Sequence, residues 1–228
     1  MKRKIITTAD GSKTIQIEDW NEQYHSKHGA ILEAQHVFIK EGLQHYCHSP
    51  KIDGHTEPIE ISILEIGFGT GLNAFLTFLE AKKNNLHVNY VGIEAYPVVS
   101  EEIQQLNFGE LISAENQDFF NELHNVSWEE EHMITPFFKL QKRQQFFSEI
   151  IDNNAFDLIY FDAFGARVQP ELWTKDIFET MFNALKTKGV LVTYAAIGEV
   201  KRHMKTLGFT VERLKGPPGK RHMLRASK

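Results

Sequence analysis

Apolar residues along the chain switch between a spacing of two and a spacing of three and four, and each switch marks an element. Ile61, Ile63, Leu64 and Ile66 form a short β-branched run that predicts a buried strand, and Leu72, Phe75, Leu76 and Leu79 then take up helical spacing. Gly67, Gly69 and Gly71 sit at the change of period. Further strands are predicted over 88–94, 135–141, 156–164 and 190–194. A helix is expected from near Thr174, with Ile177, Phe178, Met181, Phe182 and Leu185 on its buried face and its end at Gly189. A short amphipathic helix should follow Gln145, and another helix over 199–207 should close at Gly208. Residues 209–214 and 222–226 read as a last strand pair. This alternation predicts an α/β fold with a mostly parallel sheet covered on both faces and an antiparallel C-terminal edge.

The flanking segments are less regular. Asp10-Gly11 lies between two short apolar-alternating runs over 5–17, a hairpin signal, and 24–38 carries a roughly helical stripe at Ile31, Leu32, Ala34, Val37 and Phe38. A polar connection over 49–58 precedes the first core strand. Residues 1–58 are therefore expected to form an extension packed on a core of 59–228. Within that core, 107–136 are acidic and weakly periodic, as in an insertion with some helix at 119–123.

Composition narrows the setting. A hydrophobic content of 42% and a charged content of 24% over 228 residues suit one globular unit rather than a disordered or membrane-spanning chain. Cys47 is the one cysteine, so no internal disulfide can form, which fits a cytoplasmic setting. The formal net charge of −5 is uneven, since 186–228 holds 11 Lys/Arg against two acids, Glu199 and Glu212. Such a basic stretch suits a polyanion. His45, Cys47, His48 and His55 lack the spacing of a four-ligand site, and no metal is expected.

The glycine turn carries the chemistry. A strand that runs through glycines into a helix N-terminus seats nucleotide-like ligands, because backbone N–H groups face the ligand and no Cβ obstructs it. Leu72 occupies the place of the third glycine in a dinucleotide fingerprint, and Gly-Lys-Ser/Thr is missing, so neither a dinucleotide nor a P-loop phosphate fits. Glu65-x-Gly-x-Gly-x-Gly resembles the Rossmann-like class I methyltransferases that use S-adenosylmethionine. Glu94 falls at the tip of the second strand, where a carboxylate accepts hydrogen bonds from a ribose diol. Asp162, at the end of the 156–164 strand, could orient an acceptor amine and take its proton. Gln144 or Gln145 could meet the adenine.

Several co-linear motifs then resemble one family, the methyltransferase domain of MnmC. They are Glu65-Ile-Gly-Phe-Gly-Thr-Gly-Leu-Asn73, Asp162-Ala-Phe164, Gln169-Pro-Glu-Leu-Trp173 and Gly219-Lys-Arg-His-Met223, with Tyr24-His25-Ser26, Gly29, Glu33 and Val37-Phe38 upstream. The resemblance runs from about Tyr24 to the C-terminus. It implies N-methylation of the 5-aminomethyl group of (2-thio)uridine at the tRNA wobble position, with S-adenosylmethionine as cofactor. It also implies cofactor contacts at Glu65, Gly67, Phe68, Gly69, Thr70, Gly71, Asn73, Glu94, Gln144 and Asp162, with Asp162 catalytic. Glu33, Phe164, Trp173, Lys220 and Arg221 are the implied substrate side, and Lys201, Arg202 and Lys205 could join Lys220 and Arg221 on tRNA phosphates. Ala166, Val168 and Gln169 depart from the family's Pro, Lys and Asn, and Arg167 could replace the missing charge. Longer members add a flavin-dependent oxidase domain; none follows here, so no flavin is expected, and the aminomethyl substrate would come from a separate oxidase or an upstream wobble-modifying enzyme. The other readings open to the residues are transfer of a methyl or aminopropyl group to a small amine, and a non-catalytic cofactor- or RNA-binding module.

Overall fold

The computed structural model describes residues 2–48 and 58–228. The connection expected over 49–58 lies, apart from Pro58, outside the described residues, as does His55. Eight strands form one sheet in the order β10-β11-β9-β8-β4-β5-β7-β6. These are β4 (Ile59–Ile66), β5 (Leu86–Ile93), β6 (Glu131–Thr135), β7 (Phe138–Arg143), β8 (Phe156–Phe161), β9 (Leu185–Thr193), β10 (Thr210–Lys215) and β11 (His222–Ser227). β9, β8, β4, β5 and β7 are parallel; on one side β11 runs against them and pairs antiparallel with both β9 and β10, and on the other side β6 pairs antiparallel with β7. The chain lays down β4 first, adds β5 on one side and later β8 on the other. The carboxyl ends of β4 and β8 therefore flank a crevice where strand order reverses, the favoured ligand position in open α/β sheets.

Each face of the sheet has its own apolar layer. One is covered by the helix Leu72–Asn84, the helix Gln117–Asn125 and a helix running from Ala30 to Cys47, with Phe38, Phe75, Phe78, Phe120, Tyr90 and Tyr160 in the core. The other is covered by the helices Lys175–Ala184 and Gly198–Leu207, over Phe161, Phe178, Met181 and Leu191. Full burial of side chains of this size contributes about 1.5–3 kcal/mol each, before the entropy of ordering them is set against it. Among the described residues, no helix is long and apolar enough to cross a membrane.

Several elements differ from the sequence reading for identifiable reasons. The stretch 135–141 is two strands, β6 and β7, folded back at 136–137, because β6 is a half-exposed edge with almost no apolar periodicity. The helix begun at Lys175 ends at Ala184 rather than at Gly189. Its last carbonyls, on Asn183 and Ala184, accept the N–H groups of Asn154 and Ala155, and Leu185 already pairs with Phe156 in the sheet. Leu185 is buried in either role, so its apolar character could not decide between them. The region 107–136 holds the helices Phe108–Ser113 and Gln117–Asn125 as well as β6. A short 3₁₀ turn, Phe147–Glu149, stands where an amphipathic helix was expected.

The N-terminal hairpin is β1 (Arg3–Thr7) and β2 (Lys13–Ile17), extended by the two residues of β3 (Glu22–Gln23) into a small separate sheet. Residues 24–29 are not helical; the helix begins at Ala30 after Gly29, whose φ of 130° suits glycine. Between Gln35 and Gln44 it widens into a π-helix. Its opening N–H groups are capped from a distance: Asp10, in the hairpin turn, accepts from Ile31 (3.0 Å) and Leu32 (3.1 Å) through Oδ2, and from Thr8 Oγ1 (2.7 Å) through Oδ1. An N-terminal cap of this kind stabilises by about 1–2 kcal/mol. Asp10→Ala should lower the unfolding free energy by that amount in urea titrations, with Asp10→Asn retaining part of it.

Candidate active site

The turn after β4 is built by hydrogen bonds that leave little choice of residue. Gly67 and Phe68 donate their N–H groups to the Ile93 carbonyl at the end of β5 (3.0 and 2.9 Å), and Gly71 donates to Phe68 O (2.9 Å). Gly67 has φ +88°, and a Cβ there would lie 2.8 Å from the Asp162 carbonyl oxygen at the end of β8. Gly71 has φ +72° and faces the His124 ring. At these two positions both the dihedral and the close approach require glycine.

Around the turn lies one cavity of about 1240 Å³, bounded by the ends of β4, β5 and β8, by the segment Trp20–His28 and by the loop after β10. Glu94 spans its β5 side. Its Oε2 accepts the Gly69 N–H (3.1 Å) and its Oε1 the Tyr96 N–H (3.0 Å), which fixes the carboxylate and leaves a lone pair on each oxygen toward the cavity. Burial raises its proton affinity, opposed by those backbone N–H groups. Beside it, exposed Tyr96 (62%) and Phe146 (54%) meet edge to face at 6.1 Å.

Asn73, in the first turn of the helix, bridges two acids. Its amide nitrogen donates to Glu65 Oε1 and to Asp162 Oδ2, both at 2.9 Å, and Tyr90 OH donates to Glu65 Oε2 (2.9 Å). Burial drives the Glu65 carboxyl well up, against the pull of Asn73 and Tyr90. For Asp162 burial and then the charge of Glu33 raise the carboxyl to about 7, with Asn73 and Lys220 pulling the other way. A carboxyl poised there exchanges protons at neutral pH. Across the cavity Glu33 Oε2 accepts the Ser26 N–H (3.0 Å) while Oε1 pairs with Lys220, whose Nζ also stands 3.6 Å over the Tyr194 ring.

Most of the residues singled out from sequence meet here. Gly67, Phe68, Gly69, Thr70, Asn73, Glu94, Asp162, Glu33, Phe164 and Lys220 line the cavity, while Glu65 and Gly71 stand behind them, holding Asn73 and shaping the turn. Three others are elsewhere. Gln144 is exposed past the end of β7, its N–H on Glu129 Oε1 (2.7 Å), and does not reach the cavity. Trp173 is buried against Phe161, Phe178 and Tyr194, and its indole N–H donates to Phe164 O (2.7 Å), so it supports the 162–165 loop from beneath. Arg221 points to solvent, and Lys220, expected on a phosphate, is turned inward. Arg167 clamps the N-terminal strap, donating to Glu22 Oε2 (2.9 Å) and Trp20 O (3.2 Å).

Other lining residues escaped the sequence reading. Tyr96 and Phe146 follow strand ends without any periodicity, and Trp20 is brought onto Phe164 (5.8 Å, edge to face) only by the fold. His25, recognisable only as a site-lining candidate, has ring nitrogens 2.8 Å from Thr14 Oγ1 and 3.2 Å from Thr70 Oγ1, tying the hairpin to the glycine turn. Burial lowers it to about 4, so it is neutral at physiological pH. Among the described residues, no group of three or more His, Cys, Asp or Glu is placed to hold a metal ion.

A family model described as S-adenosyl-L-methionine-dependent methyltransferase matches residues 140–228. The structure superposes on that of MnmC2 from Aquifex aeolicus with a TM-score of 0.78, at 26% identity, covering 99% of this chain and 70% of the other. Over almost its whole length the chain is thus similar to an MnmC-type methyltransferase. Bifunctional tRNA 5-methylaminomethyl-2-thiouridine biosynthesis proteins MnmC from Cupriavidus metallidurans and Delftia acidovorans are 27% and 26% identical to it over 90% and 91% of its length. It spans about a third of those curated relatives, 31% and 32%. A spermidine synthase bound to a transition-state analogue matches at a TM-score of 0.52 and 15% identity, a likeness of fold alone.

The matching family model is described by its dependence on S-adenosyl-L-methionine, and the cavity has features suited to that cofactor. Two glycine positions leave no room for a Cβ at the turn, the Glu94 oxygens keep acceptor capacity, and the buried Asn73 Oδ1 has no hydrogen-bond partner among the described residues. Glu94 would take the ribose hydroxyls, Tyr96 and Phe146 the adenine, and the turn with Asn73 the methionine end. Strain at a positive φ costs about 1–3 kcal/mol before the clash with Asp162 O is added. Gly67→Ala should therefore weaken S-adenosylmethionine binding by at least about tenfold in calorimetric titration, with the circular dichroism spectrum unchanged.

Proposed function

We propose that the chain methylates the primary amine of 5-aminomethyl-(2-thio)uridine at the wobble position of tRNA. The observation that carries this reading is Asp162, held by Asn73 at the switch point of the sheet with a proton affinity near neutrality. An alkylammonium has no lone pair, so an amine acceptor must lose a proton before it can attack. A carboxylate in the cavity wall can both orient the ammonium and take that proton. S-adenosylmethionine, when bound, supplies the electrophilic methyl carbon. The residues of the chain position the acceptor and exclude water: Phe164 presents its ring between Trp20 and Tyr24, and Tyr194 OH on Ala163 O (2.9 Å) and Trp173 N–H on Phe164 O fix the loop that carries it. An aromatic wall of this kind suits a stacked base.

The names of the relatives support tRNA as the acceptor, and so does the basic C-terminal region. Arg202, Lys205 and Arg221 are exposed there, with Lys201 half-buried beside them. We assign the phosphate contacts to these four, with Lys220 left out. The reaction is placed in the cytoplasm, with the aminomethyl group supplied by a separate flavin-dependent oxidase or by an upstream wobble-modifying enzyme.

Incubation with labelled S-adenosylmethionine and tRNA carrying the aminomethyl base should give labelled methylaminomethyl nucleoside by mass spectrometry. No label in that nucleoside would overturn the reading, and label in an added polyamine instead would point to a small-amine transferase. Asp162→Asn should lower kcat by about 10²–10⁴-fold. Because the base must be ionised, kcat of the native chain should rise as pH passes upward through about 7 and then level. Reversing Arg202 and Lys205 to Glu should weaken tRNA binding and flatten its dependence on salt, with cofactor binding unaffected.

A further inference from the structure

Asp162 lines the same cavity as a second acid and one cation. Glu33 is buried, 8% exposed, at the start of the long helix, and Lys220 reaches it from the β10–β11 loop, 187 residues away in sequence. Surface ion pairs of this length are common and weak. This one is turned inward, lines the same cavity as Asp162, and places its ammonium over the Tyr194 ring, whose hydroxyl holds the Ala163 carbonyl next to Asp162. Other groups surround Asp162 as well. Asn73 donates to it from the helix Leu72–Asn84, Glu65 and Tyr90 stand behind Asn73 on β4 and β5, Tyr194 follows β9, and Glu22 of β3 lines the same cavity. Among these, Glu65 and Tyr90 are fixed by their own hydrogen bonds. Glu33 and Lys220 remain as one negative and one positive neighbour, and their opposed charges act on the same carboxyl.

We propose that Glu33 and Lys220 are a pair of positioning residues that set, in opposite directions, how readily Asp162 takes the proton of the acceptor amine. The inference rests on the reading of Asp162 as that proton acceptor. In the step concerned, one N–H bond of the ammonium breaks, its electron pair stays on nitrogen, and the proton joins a carboxylate oxygen of Asp162. Glu33 favours this transfer because a neighbouring negative charge stabilises the protonated acid. Lys220 opposes it, because a neighbouring positive charge stabilises the ionised acid.

Either Glu33→Gln or Lys220→Met removes the same ion pair, so a purely structural role makes the two variants alike. An electrostatic role makes them opposites. In the full chain labelled with ¹³C at the aspartate carboxyl carbon, with Asp162→Asn identifying the resonance, the midpoint of Asp162 should fall in Glu33→Gln and rise in Lys220→Met. Each shift should be about one pH unit, the size of a unit-charge interaction across a cavity wall at an effective dielectric of roughly 20. The glutamine side chain keeps an oxygen for the Ser26 N–H, and Lys220→Gln serves if the methionine variant is unstable. The rising limb of the pH–rate profile should move in the same two directions, and Lys220→Arg should restore the native midpoint. Shifts of equal sign, or none, would overturn the proposal. Opposed shifts in a chain that does not methylate tRNA would overturn the function proposed above and leave standing only the opposed control of Asp162 by Glu33 and Lys220.

Discussion

A single amide nitrogen ties the molecule's chemistry to its architecture. Asn73 has two protons on that nitrogen and spends them on Glu65 and Asp162, residues at the ends of neighbouring strands. A buried carboxylate without partners is costly, and two side by side repel. The bridge offsets both penalties and at the same time fixes the first turn of the helix Leu72–Asn84 over the crevice. The carboxylates at the ends of β4 and β8 and the helix that leaves the glycine turn all meet at it. Replacing Asn73 would do more than remove one contact, because each acid would lose the donor that makes its burial tolerable.

The cavity is also electrically distinct from the basic C-terminal region. Its walls carry Glu22, Glu33, Glu94, Glu102, Asp162, Glu171 and Asp176 against Arg3, Lys27 and Lys220. Of the cations, Arg3 is paired with Glu102 and Lys220 with Glu33. An acidic interior attracts a sulfonium and an ammonium, whereas Arg202, Lys205 and Arg221 are exposed outside it. The two charge regions that composition showed only as an uneven net balance are thus separated in depth.

How much of this could be read from sequence follows from the kind of signal each part leaves. The strand, turn and helix around 61–79 announce themselves through a change of period at glycines, and Glu94 and Asp162 end apolar runs at the expected places. The co-linear motifs brought Glu33 and Phe164 to the right cavity. Trp173 was assigned by its place in a motif and Gln144 by its place past a strand end, yet side-chain direction decides their surroundings, and linear spacing does not carry it. The end of the helix at Ala184 was hidden because Leu185 is buried whether helical or extended. β6 left no signal because an exposed edge strand needs no apolar face. Tyr96, Phe146 and Trp20 converge through the fold alone.

The clamp of Arg167 on the strap at Glu22, like the reach of Lys220 to Glu33, joins segments about 145 to 187 residues apart. Local contacts form early in folding, whereas contacts of such separation come after most of the loop-closure entropy has been lost. The glycine turn and its helix can thus be complete while one side of the cavity is still open. The hairpin can meet the helix from Ala30 and the glycine turn early, but Glu22 and Glu33 gain Arg167 and Lys220 only once the loop after β8 and the β10–β11 loop are in place. The site that handles the methyl group is in this sense the last part of the molecule to mature, and a nascent chain passes through a stage with a formed turn and no chamber.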